Sequence, residues 1–444
     1  MAEVVEKAKA ARRASIDLAT MTLEQRNNAL KAVAEALWDN RSGLIEANRV
    51  DLTEAEALLK KGEINHAVVQ RLKMDLDKVK GIVDMVRSVA DLEDPIGKTL
   101  YARELDEGLE VYRVSSPLGV VGVVFESRPD ALPQIASLCL KSGNAVLMKG
   151  GSETRHSNQA LYAVIKKATE DVGVASGWIQ LLEAREDVIK LLNLHEYVDL
   201  IVPRGSNSFV RYIQSNTKIP VLGHSDGVVH IYVDKGADQA KAIEVCLDAK
   251  VQYPSVCNAV DAILVHKDIR REFLPALAER LIGEGVEVRG CPRTVKVLAD
   301  RVKPATNADW GHEYLDYIVA VRVIDSLEEA INFINRYGSH HTDAIVTEDK
   351  AAAGSFLGKV DSANVFWNAS TRFSDGFRYG LGAEVGISTG KIHARGPTGL
   401  EGLTIYKYIL LGRGQTVGPY AGKNPKKFTH RRIDGNWRDR LNQL

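Results

Sequence analysis

From residue 117 onward, short apolar segments alternate with amphipathic segments, and this alternation constrains the fold more than any other feature of the chain. The apolar segments are 119–125, 145–149, 178–182 and 198–202, and the amphipathic ones are 131–142, 155–171, 185–193 and 206–215. A strand that is apolar on both faces needs cover on both sides, which a parallel sheet between two layers of helices provides. The sequence therefore predicts an α/β fold with a parallel sheet in this region.

A second alternation of the same kind follows. Its strand candidates are 228–233, 259–265, 318–324 and 343–346, with helical candidates at 238–249, 269–283 and 326–335. Together, the two units predict two doubly wound α/β domains with a cleft between them. Ligands of such sheets bind beyond the carboxyl ends of the strands.

The remaining segments have other patterns. Residues 1–92 are predicted to be largely helical. Residues 97–116 alternate between apolar and polar around a turn at Gly108, which predicts a β-hairpin. We expect 403–411 to be a strand that pairs with a sheet edge, in this subunit or another. The basic tail from residue 421 is predicted to be a solvated terminus.

The charge balance argues against several classes of function. Lysine plus arginine and aspartate plus glutamate each total 58, so the formal net charge is zero. A neutral chain is not typical of proteins that hold a nucleic-acid backbone. The longest apolar run, 117–125, is far shorter than the roughly 20 residues of a membrane helix. The chain has four cysteines, no Cys-x-x-Cys pair and no apolar leader. We therefore expect a cytoplasmic protein with free thiols and with neither a nucleic-acid nor a membrane partner.

Cys257 is the thiol whose position favours chemistry. It lies in VQYPSVCNAVDAILV, immediately before a predicted strand. A thiol at an element boundary that faces a cleft is a candidate nucleophile, and core packing is the alternative. Cys139 and Cys246 lie among apolar residues of predicted helices, which favours buried and unreactive thiols.

Two segments have features of nucleotide binding. In VDLIVPRGSNSFVRYI, a predicted strand is followed by Arg204, Gly205 and Ser206 at a helix start. Backbone N–H groups and the helix dipole favour an anion there, and a plain Ser N-cap is an equal alternative. Lys149 ends the strand AVLMK, where it either contacts a cofactor's ribose or phosphate or only extends into water.

The adjacent residues His340 and His341 suggest a metal site at first sight. No carboxylate or cysteine stands near them at the spacing of a zinc site, so we expect no metal there. No pair of carboxylates suited to hydrolysis is identifiable either.

Several segments, in the right order, resemble the gamma-glutamyl phosphate reductases, a family of the aldehyde dehydrogenase superfamily. The segments are PLGVVGVVFESRPDALPQIASLCLKSGNAVLMKGGSET, VPRGSNSFVRYI, QYPSVCNAVD, EYLDYIVAV, RYGSHHTDAIVTED and NASTRFSDGFRYGLGAEVGISTGKIHARGPTGLEGLT. The resemblance covers nearly the whole chain and implies an aldehyde dehydrogenase-like fold. The implied parts are a cofactor-binding domain of residues 1–96 and 117–227, a catalytic domain of residues 228–399, a β-ribbon oligomerisation element of residues 97–116 and 400–415, and a tail of residues 416–444.

The resemblance also assigns roles to single residues. Cys257 stands at the position of the family's nucleophile. The implied cofactor-binding residues are Lys149, Glu153, Gly205, Ser206 and Glu313, with Glu313 at the nicotinamide ribose. The candidates for substrate binding are Arg128, Asn368, Ser370, Thr371 and Arg372. Guanidinium groups match phosphate oxygens, but a surface ion pair is an equal alternative for both arginines.

Two departures from the superfamily bear on the reaction. Hydrolytic members carry a general-base Glu, whereas the corresponding segment here, PVLGHSDG at 220–227, has none. We therefore expect an acyl intermediate to react with phosphate and not with activated water. Ser127 and Arg128 stand where many members have the Asn that stabilises the oxyanion. The N–H of Cys257 and a nearby polar side chain are the expected donors instead.

The implied reaction is the reduction of L-glutamyl 5-phosphate by NADPH, which yields L-glutamate 5-semialdehyde, inorganic phosphate and NADP+ in proline biosynthesis. The thiolate of Cys257 would form a thioester that hydride then reduces. The resemblance also implies a homo-oligomer and functional coupling to glutamate 5-kinase. Two alternatives stay open: another acylating aldehyde dehydrogenase that uses coenzyme A or a different acyl phosphate, and a non-catalytic nucleotide-binding protein of the same fold.

Overall fold

The structure is a computed structural model that describes residues 2–64, 66–126, 128–224 and 226–443. The helices are α1 (Ala2–Leu18), α2 (Leu23–Asp39), α3 (Arg41–Lys60), α4 (His66–Leu72), α5 (Leu76–Asp91), α6 (Ala131–Lys141), α7 (Arg155–Asp171), α8 (Asp187–Leu192), α9 (Asn207–Ser215), α10 (Gln239–Val251), α11 (Arg270–Gly283), α12 (Pro292–Leu298), α13 (Leu327–Tyr337), α14 (Lys350–Lys359) and α15 (Trp437–Leu441). In the described part of the chain, no helix is both long and apolar enough to cross a membrane.

The strands are β1 (Thr99–Asp106), β2 (Leu109–Pro117), β3 (Val120–Phe125), β4 (Ala145–Lys149), β5 (Ile179–Leu182), β6 (Leu200–Arg204), β7 (His230–Val233), β8 (Ala262–His266), β9 (Glu287–Gly290), β10 (Lys303–Pro304), β11 (Ile318–Ile324), β12 (Thr342–Val346), β13 (Asn364–Trp367), β14 (Gly386–Ser388), β15 (Gly396–Thr398), β16 (Thr404–Leu411) and β17 (Arg431–Arg432). Short 3-10 helices lie at Ser152–Thr154, Ala299–Arg301, Asn307–Gly311, Thr371–Phe373, Leu400–Leu403 and Gly418–Tyr420.

The smaller parallel sheet has the order β5-β4-β3-β6. Every residue of β3 and β4 is buried, as predicted for strands with cover on both faces. Alternate side chains of β3 join two cores: Val121 and Val123 pack in the core that α2, α5, α6 and α7 share, and Val120 and Val124 pack in the core on the side of α1 and α8. Chain order reverses between β3 and β6, and the crevice at such a reversal is where nucleotides bind.

The larger parallel sheet has the order β10-β9-β11-β8-β7-β12-β13. The four strands predicted here are confirmed as β7, β8, β11 and β12 within a few residues. The sequence patterns did not reveal β9, β10 or β13, because these strands are short and mix charged or polar residues with apolar ones. The two parallel sheets with their helices confirm the predicted α/β fold.

The predicted hairpin is formed by β1 and β2, with Gly108 at a φ of 67° in the turn. Strand β16 pairs antiparallel with β2, and β17 pairs with β1 at the opposite edge. The prediction of a plain solvated tail is therefore wrong. Although most tail residues are exposed, the segment folds back on the hairpin, where the Tyr420 hydroxyl donates to Asp106 (2.6 Å) and Arg440 pairs with Glu110 (2.8 Å).

Candidate active site

Opposite edges of the two parallel sheets meet in one cleft. The carboxyl ends of β3 and β6 lead to Glu126 and Gly205, whereas Cys257 and His341 precede the amino ends of β8 and β12. The amide of Asn207, the first residue of α9, donates to the Glu313 carboxylate across this cleft at 2.8 Å. The structure thus brings the predicted cofactor residues Gly205, Ser206 and Glu313 together at one edge of the smaller sheet.

Cys257 lies in the turn between α10 and β8 and is half-buried, whereas Cys139, Cys246 and Cys291 are buried. Burial raises the pKa of the Cys139 thiol to about 12 and also raises the pKa of Cys246, so both stay protonated, as their apolar surroundings predicted. The residue next to the thiol, Asn258, is buried and holds the turn in place. Its amide donates to the Ser374 carbonyl oxygen at 2.7 Å.

The segment Ser370–Arg372 packs against the Cys257 turn. The Thr371 hydroxyl donates to the Asn258 carbonyl oxygen at 2.8 Å, and the Ser370 hydroxyl accepts from the Arg372 N–H at 3.3 Å. The Arg372 guanidinium donates to the Asn258 side-chain oxygen and, at 2.9 Å, to Gln252. Arg372 is therefore a buried residue beside the Cys257 turn and not part of a surface ion pair.

A second guanidinium, that of Arg204 at the end of β6, lies within electrostatic range of the same thiol. Loss of hydration lowers the pKa of both Arg204 and Arg372, and the negative charge that Cys257 can carry opposes this lowering. Two desolvated cations beside one thiol favour an anion at that place, and guanidinium forks match the oxygens of a phosphate. The sequence placed Arg204 at a helix start but did not assign it to the substrate.

The two remaining candidates for substrate binding are Arg128 and Asn368. Arg128 is exposed after β3, and its charge acts on Arg204; the neighbouring Ser127 lies outside the described residues. Asn368 follows β13 at the carboxyl edge of the larger sheet, where its side chain accepts from the Thr347 N–H (2.9 Å) and donates to the Thr347 carbonyl (3.0 Å). The chain then turns back toward Cys257, so the structure brings Thr371 and Arg372 to the thiol but keeps Asn368 at the other edge.

A cleft of about 370 Å³ lies at the carboxyl ends of β4 and β5, and residues Gly150–Ser152, Arg155, Asn158 and Glu183 are among those that line it. Lys149 is buried beside it. Loss of hydration lowers the pKa of Lys149, opposed by the charge of Glu153. The amide of Asn158 donates to Thr154, but its buried Oδ1 has no hydrogen-bond partner. An unsatisfied buried acceptor that lines a cleft indicates a ligand with a donor.

The start of α9 also suits an anion. Ser206 is the N-cap, but its hydroxyl does not cap the helix and instead contacts Ser208 (3.2 Å). The alternative interpretation of Ser206, as a residue whose side chain only caps the helix, is therefore wrong. The Glu126 carboxylate accepts from the Ser206 N–H instead, so a negative group already lies at the helix end. A Cβ at Gly205 would lie 2.8 Å from Glu126 Oε2, so only glycine leaves this approach open.

Two histidines that the sequence analysis did not connect with Cys257 lie beside it. One ring nitrogen each from His224 and His341 and the Cys257 Sγ all lie within 4.8 Å of one another. His340 points elsewhere, since its Nδ1 bonds to the Asp361 carbonyl oxygen (2.6 Å). The sequence reasoning on the His340-His341 pair considered only local spacing, and the fold brings Cys257 to His341 from another strand. The expected absence of a metal site stays a prediction.

Comparison with known proteins supports the resemblance. The aldehyde dehydrogenase family profile matches residues 1–288. A gamma-glutamyl phosphate reductase of Natronomonas pharaonis is 56% identical over 98% of this chain and 100% of its own length. Another, of Methanococcoides burtonii, is 51% identical over 99% of each chain. The chain belongs to the gamma-glutamyl phosphate reductase family.

Solved structures agree with this family assignment. The crystal structure of a gamma-glutamyl phosphate reductase from Thermotoga maritima superposes with a TM-score of 0.90 at 39% identity, covering 93% of this chain and 99% of that one. An acetylating aldehyde dehydrogenase from Geobacillus thermoglucosidasius has a TM-score of 0.61 at 18% identity, covering 94% of this chain and 97% of that one. This likeness shows the shared fold alone. Aldehyde dehydrogenases use a nicotinamide cofactor, and the glycine-lined cleft beside Lys149 and Asn158 fits such a ligand.

Proposed function

We propose that this protein reduces L-glutamyl 5-phosphate with NADPH to L-glutamate 5-semialdehyde and phosphate, through a thioester on Cys257. The observation that carries the proposal is the position of Cys257. It is the half-buried one of the four thiols, it lies where the two sheet edges meet, and the guanidinium charges of Arg204 and Arg372 lie within electrostatic range of it. Membership of the family supports the same reaction.

The carboxyl edge of the smaller sheet supplies the groups that would hold the cofactor. Lys149 and the unsatisfied Asn158 Oδ1 lie toward the adenosine end, and the start of α9 with Glu313 lies toward the thiol. A Cβ at Gly150 would overlap the Asn158 amide, so glycine at this position lets the chain pass close to Asn158 at the edge of the cleft. Bound NADPH supplies the hydride.

Arg155 supports NADPH over NADH. Its exposed guanidinium lines the cleft, and an arginine in this region of a dinucleotide site accommodates a 2′-phosphate. The other charged group there, Glu183, already accepts from Gln159 at 2.8 Å. We expect Arg155→Ala to raise the KM for NADPH with little effect on the KM for NADH; equal effects on both cofactors would contradict this assignment.

The chain's own groups divide the reaction into two displacements. The Cys257 thiolate attacks the acyl carbon while Arg204 and Arg372 neutralise the phosphoryl oxygens, and phosphate leaves with its bonding electrons. Hydride transfer to the thioester carbon gives a tetrahedral oxyanion, which collapses to the aldehyde and returns the thiolate. The region equivalent to the hydrolytic Glu is PVLGHSDG and contains no Glu, which favours exchange with phosphate over hydrolysis.

Activity in the reverse direction tests this proposal. We expect NADP+ reduction with L-glutamate 5-semialdehyde to require inorganic phosphate and not to accept coenzyme A in its place. Cys257→Ala should abolish turnover, and the matched variant Cys139→Ala, which changes a buried thiol in α6, should keep it. Steady turnover without phosphate would contradict the phosphorylating reaction, and turnover in Cys257→Ala would contradict the nucleophile.

The outer face of β16 supports a homo-oligomer. The strand lies at a sheet edge and exposes Ile405, Tyr406, Tyr408 and Leu410. An exposed edge strand with this composition tends to pair with another chain, and the neighbouring copy is the partner we propose. Light scattering should give a mass of at least two chains of 48.7 kDa, and Tyr408→Lys should lower it. A wild-type mass of one chain would contradict this.

A further inference from the structure

We propose that His341 is the catalytic base that takes the proton of the Cys257 thiol and then gives it to the departing phosphate. This inference deepens the proposed function and rests on it for the second of these two steps. It answers a question that the sequence leaves open, namely which group activates the thiol.

The first observation is that His341 has an unused acceptor. The residue is fully buried, and its Nε2 has no hydrogen-bond partner. A ring nitrogen of this histidine lies within 4.8 Å of the Cys257 Sγ, and its Nδ1 is already bonded to Thr342 Oγ1 at 2.8 Å. A buried acceptor without a partner costs free energy, so its presence needs an explanation such as a catalytic role. Catalytic hydrogen bonds often shorten only when substrate binds.

The second observation is a chain of hydrogen bonds that fixes which nitrogen carries the proton. It starts at His341 and passes through Thr342 and Ser374 (2.9 Å) to Tyr379, whose hydroxyl donates to Asn364 Oδ1 at 2.8 Å. The Asn364 amide nitrogen donates to the His341 carbonyl oxygen (3.0 Å), so its Oδ1 must face Tyr379. Because this oxygen only accepts, each hydroxyl of the chain must donate toward it.

The direction of the chain determines the tautomer of His341. The Thr342 hydroxyl donates its hydrogen to Ser374, so the Thr342 oxygen must accept a hydrogen bond from the N–H of His341 Nδ1. In the neutral ring the lone pair then lies on Nε2, which is the nitrogen without a partner. A nucleophile, a histidine base and a third group that orients the histidine form the arrangement of nucleophilic enzymes, here with a hydroxyl as the third group.

Other charged or titratable groups also face the thiol. His224 packs edge-on against the His341 ring, with ring centres 4.9 Å apart, and its Nδ1 bonds to the Ile387 carbonyl oxygen at 2.9 Å. The charges of Arg204 and Arg372 interact with the charge that the Cys257 sulfur can carry, and the charge of Glu384 interacts with Arg204 and His224. The Ile387 carbonyl oxygen only accepts, so His224 also carries its proton on Nδ1. We assign the thiol proton to His341 because that residue is fully buried and its Nε2 has no partner, whereas His224 is only half-buried.

The thiol proton moves to His341 Nε2, and the thiolate forms the C–S bond with the acyl carbon while the C–O bond to phosphate breaks. Phosphate leaves with that electron pair and takes the proton from His341, which becomes neutral again. When the later oxyanion collapses, the C–S bond breaks, sulfur keeps its electrons, and His341 can protonate it with a proton from solvent. The sum is acyl phosphate, NADPH and one proton to aldehyde, phosphate and NADP+.

Alkylation of the free enzyme tests, in the absence of substrate, whether His341 takes the proton of the Cys257 thiol. The rate of carbamidomethylation of the Cys257 peptide is measured by mass spectrometry from acid to alkaline pH, with a chelator present throughout. We expect a reactive plateau that extends below neutral pH in the wild type. In His341→Gln, which keeps a donor toward Thr342 but cannot accept a proton, the rate at neutral pH should fall about tenfold or more, because a free thiol is only a few per cent ionised there.

Matched variants complete the experiment. His340→Asn, which changes the adjacent histidine that points away from the thiol, should keep the wild-type profile. Thr342→Val should shift the profile in the same direction as His341→Gln but by less. This variant removes the hydrogen bond that keeps the proton on His341 Nδ1, but it leaves the histidine base in place. An unchanged profile in His341→Gln, or a larger shift in His224→Gln than in His341→Gln, would overturn the proposal.

Steady-state kinetics give the second readout. We expect His341→Gln to lower kcat about 10²- to 10³-fold with little change in the KM for NADP+, and free imidazole to restore part of kcat in His341→Ala. Thermal unfolding and NADP+ binding show whether each variant is folded. If a folded His341→Gln keeps the wild-type kcat, the proposal fails. Loss of phosphate-dependent turnover in the wild type would instead count against the proposed function, because alkylation needs no substrate.

Discussion

The two parallel sheets contribute to the active site from opposite ends. The smaller sheet presents the carboxyl ends of its strands, where Lys149 and Arg204 are the last residues of β4 and β6. The larger sheet presents its amino ends, because Cys257 and His341 precede β8 and β12. Helix starts and glycines at the carboxyl edge suit a nucleotide, whereas buried side chains at the amino edge suit covalent chemistry.

This difference shows what a general rule can and cannot predict. Ligands of doubly wound sheets bind beyond the carboxyl ends of the strands, and that rule led to Lys149 and the start of α9. No similar rule predicts which residues form a site at the amino ends of the strands. There the site is made of side chains that come together only when β7, β8 and β12 pair.

The largest expected effect comes from Gly227, which lies in the segment that links the smaller sheet to β7 and packs against the Cys257 turn. A Cβ here would overlap the Cys257 carbonyl oxygen and lie 2.6 Å from its Cβ and 2.8 Å from its Cα. We expect Gly227→Ala to displace the thiol and lower kcat at least about 100-fold, since a shift of about 1 Å can cost that much. Gly354→Ala, where a Cβ meets open space in α14, should keep kcat. Equal kcat values in the two variants would contradict this prediction, because they would show that displacing the Cys257 turn does not slow the reaction.

Arg204 tests whether the carboxyl edge holds phosphate as well as cofactor. Removing its guanidinium in Arg204→Ala should lower kcat/KM for phosphate in the reverse reaction roughly 10- to 100-fold, the worth of a charge-assisted hydrogen bond. NADP+ binding should change much less. The control Arg280→Ala, which removes an exposed guanidinium paired with Glu244, should leave both unchanged. A larger effect on NADP+ than on phosphate would assign Arg204 to the cofactor.

Glu313 tests the direct bond across the cleft. Glu313→Gln keeps the size of the side chain but weakens the 2.8 Å bond from Asn207, so we expect kcat to fall about tenfold or less. Asn207→Ala should act in the same direction, and the double variant should lose less than the product of the two losses, because both single changes remove one interaction. Independent effects would mean that this bond does not join the two edges.

The smallest effect on activity is expected at the ribbon, away from both edges. Lys426, Tyr420 and the Glu107 N–H lower the pKa of Asp106 from its usual 3.8 to about 2. Since the folded pKa lies below the unfolded one, the stabilisation is complete above about pH 4 and is lost as pH falls toward 2. The difference in melting temperature between wild type and Asp106→Asn should therefore shrink across that range, with kcat at neutral pH unchanged. A difference that does not depend on pH would contradict the ionic contact.

Much of the fold could be predicted because burial leaves a local pattern. Strands 145–149 and 318–324 and the helix 155–171 have the predicted bounds, since both faces of those strands and one face of that helix are apolar. A strand as short as β13, with four residues, and the returning tail have no such pattern. The tail is held by ion pairs and hydrogen bonds to β1 and β2, which depend on partners far along the chain.

The site divides in the same way. Motifs that are continuous in sequence, such as Lys149 to Glu153 and Arg204 to Asn207, could be located from the sequence, as could Cys257 through its family segment, and the roles of these residues stay predictions. Asn368 was grouped with Arg372 by sequence proximity, but β13 ends at the opposite edge. His341 was considered only beside His340, because nothing local indicates that a distant thiol packs against it.

A single-turnover experiment tests the central claim most directly. Enzyme is mixed with NADP+ and L-glutamate 5-semialdehyde in the absence of phosphate, quenched at intervals, and digested so that the Cys257 peptide can be weighed. We predict a burst of one NADPH per active site, an added glutamyl acyl group on the Cys257 peptide, and release of that group with renewed turnover when phosphate is added. Continuous NADPH formation without phosphate, or a Cys257 peptide of unchanged mass during the burst, would contradict the account.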